Sequence, residues 1–387
     1  MIKKIQYGKQ YLDNNDIRSV KNALKSKFIS SGNTIKKFEK NLKNKLKVKY
    51  TLVCSSGTAA LHLAFQSINV KKDDIILIPA ITFIASFSLA KMMGAKVYLV
   101  DVDSVTGQMT PESLKNCIKK NKIKKVKAII TMYMGGAPMH VVDFFKIKKK
   151  LKCFLIEDAC HALGAKYKDN KVSRPIGCCK HSDICTFSLH PLKSITTGEG
   201  GIISTNNSAI NYKIALLRSH GIKRSTKKYW EYKIDFLGMN YRLSDINCGL
   251  GISQLKKINR FMINRTNIAN KYLKLLKDLK NYVDVPVINK SILSSWHLFI
   301  ISINFNKLSA NKDKFIKFMN KKGIFPQYHY IPIYRFKVYN LQQKNSFSNS
   351  KYYFKNNISL PIYFKLSFKN VEYIVMNIKK FINLWKK

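Results

Sequence analysis

Acid is scarce in this chain. Asp and Glu account for only 21 of 387 residues, against 70 Lys and Arg, which leaves a formal charge of +49. Arginine is scarce as well, with eight residues beside 62 lysines. That shortage speaks against a nucleic-acid reader, which would use the planar guanidinium fork to grip phosphate and guanine bidentately. The lysines are spread over the whole length, apart from short runs such as Lys148–Lys150, and no basic stripe with interleaved aromatics stands out. Lys, Asn and Ile are abundant together, as AT-rich codons would make them, so the charge reads as compositional drift. Its residual consequence is attraction for an anionic substrate. An anion-binding or nucleic-acid-binding protein remains the non-enzyme alternative.

Long apolar runs are also missing. The most apolar stretch, Ile75 to Ala90, is broken by Pro79, Thr82, Ser86 and Ser88. It falls short of the roughly 20 residues that a membrane span needs. The start, Met1 to Tyr7, is basic but is followed by no apolar core of signal length. No membrane partner is therefore expected. The eight cysteines show neither framework nor zinc spacing. Their one cluster, Cys178, Cys179 and Cys185 with His181, reads as reduced structural thiols, so the expectation is a cytoplasmic protein without a metal.

What is present is a sizeable core, with 46% hydrophobic residues. The length points to one large domain and a smaller one. Residues 13–27 and 33–47 have the period of amphipathic helices, with Asp13 and Asn33 near their starts. Short apolar runs follow, at Tyr50–Cys54, Asp74–Ile78, Lys96–Val100, Lys127–Thr131, Cys153–Ile156, Ile184–Ser188 and Gly201–Ser204. Helical patterns fall between most of them. This alternation predicts an α/β fold with a mainly parallel sheet covered on both faces, and a ligand at the carboxyl ends of its strands. A long helical pattern runs from Ser244 to about Lys280. It leads from a large domain, residues 1–250 with the N-terminal helical segment, into a smaller α+β domain, residues 251–387.

Four segments carry the chemistry. Ser55-Ser56-Gly57-Thr58-Ala59-Ala60-Leu61 follows a strand and opens a helix, so its N–H groups suit a phosphate. A serine N-cap is routine, however, and the segment is weak alone. In Cys153 to His161 a buried strand ends in Glu157 and Asp158. An acid there faces the ligand end of the sheet, although a helix cap would look the same. In Thr186 to Gly201 a strand enters a polar loop with one lysine, Lys193, and then a Gly-rich turn. A lysine so held can bond covalently to an aldehyde cofactor and later move protons. Context singles it out among 62 lysines, since residue type alone does not. In Leu237 to Asp245, Asn240 and Arg242 precede a helix start at Ser244, and a plain structural loop is the bland reading.

Together these segments resemble the DegT/DnrJ/StrS family of sugar aminotransferases over nearly the whole chain. The resemblance extends through Pro79 to Phe83, Arg218-Ser219-His220-Gly221, Ser295-Trp296-His297 and Leu360-Pro361-Ile362-Tyr363. It implies the fold type I of pyridoxal-phosphate (PLP) transferases, PLP as cofactor, and a homodimer with shared active sites. Lys193 resembles the cofactor-carrying lysine and Asp158 the partner of the pyridine nitrogen. His161 resembles the group beside the phenolic oxygen, and Phe83 the aromatic stacked on the ring. Gly57, Thr58 and Ser188 look like phosphate contacts, and Asn240 like the residue that reaches the neighbouring subunit's phosphate. Tyr7, His329 and Tyr330 are candidates for the sugar pocket, with ordinary packing as the competing reading.

Within the family, Tyr7-Gly8-Lys9-Gln10 and the block from His190 to Gly201 look most like the branch of the pseudaminic-acid pathway. That branch moves an amino group from L-glutamate to C4 of a UDP-linked 4-keto-6-deoxy-N-acetylhexosamine. Phe28 to Asn33 and Met134 to Met139 depart from that branch, which leaves perosamine-type GDP-4-keto-sugars and 3-keto-sugars open as substrates. A relative that has become a dehydratase would carry His in place of Lys193. A regulatory protein that senses PLP is the remaining alternative.

Overall fold

The short apolar runs assemble side by side into one sheet. Its strands are β1 (Tyr50–Cys54), β2 (Ile75–Pro79), β3 (Lys96–Val100), β4 (Ala128–Met132), β5 (Phe154–Asp158), β6 (Ile184–Ser188) and β7 (Gly201–Thr205). Each falls within one or two residues of the expected range. In this computed structural model, residues 4–228, 230–339 and 346–387 are described. The spatial order is β1-β7-β6-β5-β4-β2-β3. Neighbours are parallel except at β7, which runs antiparallel to both β1 and β6.

Side chains of a strand alternate between faces, and here both faces are covered. Ile184 and Ile203 join a cluster under helix α3 (Gly57–Ser67), with Ile76, Ile130 and Ile156. Cys185, Phe187 and Ile202 join the cluster on the other face, with Phe38, Leu42 and Leu46 of helix α2 (Asn33–Leu46). Cys178 and Cys179 fill this second core as well, and all eight cysteines are free. Among the described residues, no three His, Cys, Asp or Glu are grouped to hold a metal ion.

Helix α1 (Asn14–Leu24) begins with a capping box between Asp13 and Asp16. Helix α2 has no such cap of its own. Gly32 occupies its N-cap position, and the orphan N–H groups of Gly32 and Thr34 donate to Asp245, at 2.8 and 2.9 Å. Asp245 is fully buried and opens helix α4 (Asp245–Leu276), so a carboxylate more than 200 positions away finishes the cap. Helix α4 runs through position 250 without a break.

Beyond it, Ile268 and Tyr272 of α4 pack with Phe299, Ile301, Phe315, Ile374 and Phe381 in a separate core, which Ile5 joins. Strands β8 (Phe299–Ile303) and β9 (Asn357–Leu360) pair antiparallel there. Helices α5 (Lys312–Lys321), α6 (Ser348–Asn356) and α7 (Phe368–Trp385) accompany them. The buried Arg265 of α4 donates to the carbonyls of Trp296, His297 and Ile362, at 3.0, 3.3 and 3.0 Å. Five N–H donors on one planar group let a single residue fix two chain segments at once. No helix among the described residues is long and apolar enough to cross a membrane.

Candidate active site

A cavity of about 340 Å³ opens at the carboxyl ends of β1, β4, β5 and β6. Ligands are expected there in an open α/β sheet, because the loops leaving parallel strands and the starts of the following helices converge at that end. Lys193, Asp158, His161, Gly57, Thr58, Phe83, Ser188, Tyr7, His329 and Tyr330 all line it. They come from six separate stretches of chain. Asn240 does not line it. It lies exposed, bridged to Ser219, next to the hairpin formed by Ile222–Arg224 and Tyr232–Ile234.

The floor is made by the two strand ends. Asp158 is the last residue of β5 and Ser188 the last of β6. Alternation decides which of the paired acids faces the cavity. Asp158 does, and its Oδ1 accepts the Cys160 N–H at 3.1 Å. Glu157 points to the opposite face, where it accepts from Tyr133 at 2.5 Å and Ser182 at 3.0 Å. Burial raises both carboxyls above their usual range; hydrogen bonds to Cys160 and the charge of Lys193 pull Asp158 back in part.

Lys193 stands on a braced turn. Its N–H donates to the His190 carbonyl at 2.9 Å, and Thr196 and Thr197 both donate to the Leu189 carbonyl at 3.0 Å. Asn247 of α4 ties down the Thr197 carbonyl at 2.6 Å. Lys193 lines the cavity, and burial lowers its amine from the ordinary lysine value, against the opposing pull of Cys160 and Asp158. A lysine with a lowered pKa has a larger neutral, nucleophilic fraction at a given pH.

One wall is the start of α3. Ser56 caps Ala59 N–H at 3.0 Å, while the Gly57 and Thr58 N–H groups have no partner inside the helix. A side chain at position 57 would bring a Cβ within 2.9 Å of Ser188 Cβ, so glycine keeps this corner bare. The result is a polar recess with the positive end of a helix behind it, which favours an anion.

The opposite wall is built of neutral histidines and tyrosines. Tyr330 hydroxyl lies 3.0 Å from His161 Nε2, and the rings of His161 and His297 are 4.2 Å apart. His329 Nδ1 lies 2.8 Å from Ser359 Oγ, and Tyr7 approaches His329 with ring centroids 5.6 Å apart. Phe83, 53% exposed, meets Tyr330 edge-on at 5.9 Å. Burial, then the nearby Lys193, pushes His161 well below its usual value and His329 down to about 3; burial does the same to His297, with His161 next. The buried Nδ1 atoms of His161 and His297 have no hydrogen-bond partner among the described residues.

His297, Cys160, His190 and Glu199 also line the cavity and were given no role from sequence. The Ser295-Trp296-His297 stretch was visible as a motif. Its place in the site depends on Ser295, whose hydroxyl donates to the His161 carbonyl at 2.5 Å, and on the grip of Arg265.

The buried histidines make acid stability testable. The folded value of His329, about 3, lies below its ordinary 6.5, so the unfolded chain takes up the proton more readily. The stability linked to neutral His329 is therefore whole above about 6.5 and is lost as pH falls toward about 3. Within that window the loss is about 1.4 kcal/mol per pH unit. His329→Gln is expected to flatten the fall in urea-unfolding free energy between about pH 7 and about pH 5. Equal slopes for variant and wild type would contradict the assignment.

A covalent-capable lysine and a buried carboxylate, gathered with a bare helix start at the carboxyl end of a mainly parallel sheet, define an α/β group-transfer enzyme. The comparisons agree. The family model for DegT/DnrJ/EryC1/StrS aminotransferases matches residues 10–379, and the chain belongs to that family. It is 35% identical over 372 residues, 96% of this chain and 95% of the relative, to a UDP-4-amino-4,6-dideoxy-N-acetyl-beta-L-altrosamine transaminase of Campylobacter jejuni. The fold is similar to that of Helicobacter pylori PseC, an aminotransferase involved in the biosynthesis of pseudoaminic acid. The TM-score is 0.91 and the identity 29%, covering 99% of this chain and 100% of that one. A putative sugar aminotransferase of Streptococcus pneumoniae in its PLP form is similar too. Its TM-score is 0.88 and its identity 26%, covering 98% and 99% of the two chains.

Proposed function

We propose that this chain is a PLP-dependent transaminase that moves an amino group from L-glutamate to C4 of a UDP-linked 4-keto-6-deoxy-N-acetylhexosamine. The observation that carries the reading is that Lys193, Asp158 and the open N–H groups of α3 face a single cavity. These groups fit pyridoxal 5′-phosphate. Gly57, Thr58 and Ser188 would hold the phosphate, Asp158 would face the pyridine nitrogen, and His161 would stand beside the phenolic oxygen. Phe83 would cover the ring. Bound there, the cofactor supplies an electron sink next to the donor's α-carbon.

The protein's own groups do the rest. Lys193 Nζ would hold the cofactor and, when released, would serve as the base that takes a proton from the donor's α-carbon and as the acid that gives it up again. Asp158 keeps a compensating negative charge at the far end of the ring. Neutral His329, His297, Tyr7 and Tyr330 offer uncharged hydrogen-bonding groups to sugar hydroxyls. Water is restricted because His329 is buried and Tyr330 half-buried in that wall.

The reading includes a homodimer. Leu237 is 90% exposed and Trp230 63%, on the segments flanking Asn240. Large apolar side chains so exposed are what a self-complementary interface covers. Asn240 would then reach the neighbour's phosphate recess. The free cysteines fit the reducing cytoplasm.

The test is incubation of the holoenzyme with L-glutamate and a panel of UDP- and GDP-linked keto-sugars, followed by mass spectrometry and NMR of the products. Amination at C4 of a UDP-linked 4-keto-6-deoxy sugar is the expected result. Turnover of GDP-sugars alone, or of 3-keto-sugars alone, overturns the substrate while leaving the transaminase.

A further inference from the structure

Behind the segment that carries His329 and Tyr330 lies a second cleft, of about 590 Å³. Tyr328 faces this cleft, whereas the next two residues line the active-site cavity. The start of α5, helix α6 and the turn Ile333–Arg335 enclose it. Four cations line it, namely Lys312, Arg335, Lys351 and Lys355, and Asp313 is the one acid among the described lining residues. The walls between them are the aromatic rings of Tyr328, Tyr334 and Phe354.

Two of the cations are held against one ring. Lys312 Nζ is 4.2 Å from the Phe354 centroid and the Arg335 guanidinium 5.0 Å from it. Lys312 also lies 5.2 Å from the Tyr328 ring and donates to the Phe354 carbonyl. Neither cation has a carboxylate within ion-pair distance among the described residues. Helix α5 does not need them for packing, since its core face is Phe315 and Met319. Two like charges sharing a half-buried ring repel each other and lose hydration. The Phe354 carbonyl, the rings and the nearby Asp313 offset that cost only in part, since no carboxylate among the described residues pairs with either cation.

We propose that this cleft is a phosphate-oxyanion site, with the anion held between Lys312 and Arg335. An oxyanion bridging an ammonium and a guanidinium makes charge-assisted hydrogen bonds to both and cancels their repulsion. The positive end of α5 stands beside it, with Asn311 capping Lys314 N–H at 2.9 Å. Lys351 and Lys355 lie at the rim. Lys355 is already engaged with Asn306, at 2.8 Å, so the inner pair carries the site. In keeping with this, burial holds the Lys312 amine down to about 8, Asp313 opposing and Arg335 adding to the effect. The ligand is either free phosphate or a phosphorylated aromatic metabolite stacked on Tyr328 or Tyr334.

Calorimetric titration of the holoenzyme at fixed ionic strength, with inorganic phosphate and with phenyl phosphate, tests this. Lys312→Gln and Arg335→Gln are each expected to weaken phosphate binding at least about tenfold, near 1.4 kcal/mol. Lys312→Arg, which keeps the charge, should retain it, as should the control Lys124→Gln on an exposed stretch. Tighter binding of phenyl phosphate would identify the phosphorylated aromatic as the ligand, and equal binding the free ion. Unchanged affinity in both Gln variants, or the same loss in the control, overturns the site.

Discussion

Replacing Lys193 by alanine is expected to lower turnover at least 10²- to 10⁴-fold, the range lost with a positioned acid–base group alone. Borohydride treatment of the wild-type holoenzyme, followed by peptide mapping, should leave the pyridoxyl mass on the peptide that contains Lys193, and in Lys193→Ala on none. Label on another lysine would sink both the assignment and the chemistry built on it. The same variant tests whether the sites are shared. Lys193→Ala and Asn240→Asp protomers, each inactive alone, are mixed and reassorted. If Asn240 completes the neighbour's site, half the dimers are mixed and each has one intact site, so about a quarter of wild-type activity returns. No recovery, with mixed dimers demonstrated, would remove Asn240 from the site.

Asp158→Asn is expected to lower turnover at least about 10²-fold, roughly 3 kcal/mol in the barrier, with the fold intact. The amide keeps the volume, but not the charge that balances a protonated pyridine ring. Asp158→Ala loses the hydrogen bond too and should fall further. Stability should move the other way. Burial raises the Asp158 carboxyl above its usual value, so at neutral pH its ionised form costs the folded state free energy. Unfolding of the cofactor-free variant should therefore occur at a temperature no lower than wild type, as expected where a group is kept for function. Near-normal kinetics in Asp158→Ala would transfer the role to another acid. Glu157 is excluded from it by direction, because it bonds Tyr133 and Ser182 on the far side of the strand.

Much of this was legible before any coordinates. Apolar runs of four or five residues alternating with helical patterns determine a covered, mainly parallel sheet, because only that arrangement buries both faces of each strand. The place of Lys193 after a strand, before a Gly-rich turn, and of Asp158 at a strand end follows from local order. Strand ends of a parallel sheet share one edge, which brings Gly57, Thr58, Asp158 and Ser188 to one cavity. Phe83 and His161 came from the family resemblance, and strand order says nothing of Tyr7, His329 and Tyr330. The excess of lysine is spread over the whole chain, and no motif surrounds Lys312 or Arg335, so nothing local marks that pair.

Tertiary structure alone decided what depends on direction and on distant partners. The sequence Glu157-Asp158 does not say which acid faces the ligand; the register of β5 does, because a shift of one residue exchanges the two faces. Asp245 as the cap of α2, Arg265 as the brace of His297, and Tyr328 and His329 on opposite sides of one segment join positions up to 213 residues apart. Local propensity reaches only a few neighbours along the chain. Contacts of that span exist only once packing has brought the segments together, so no pattern in the sequence records them.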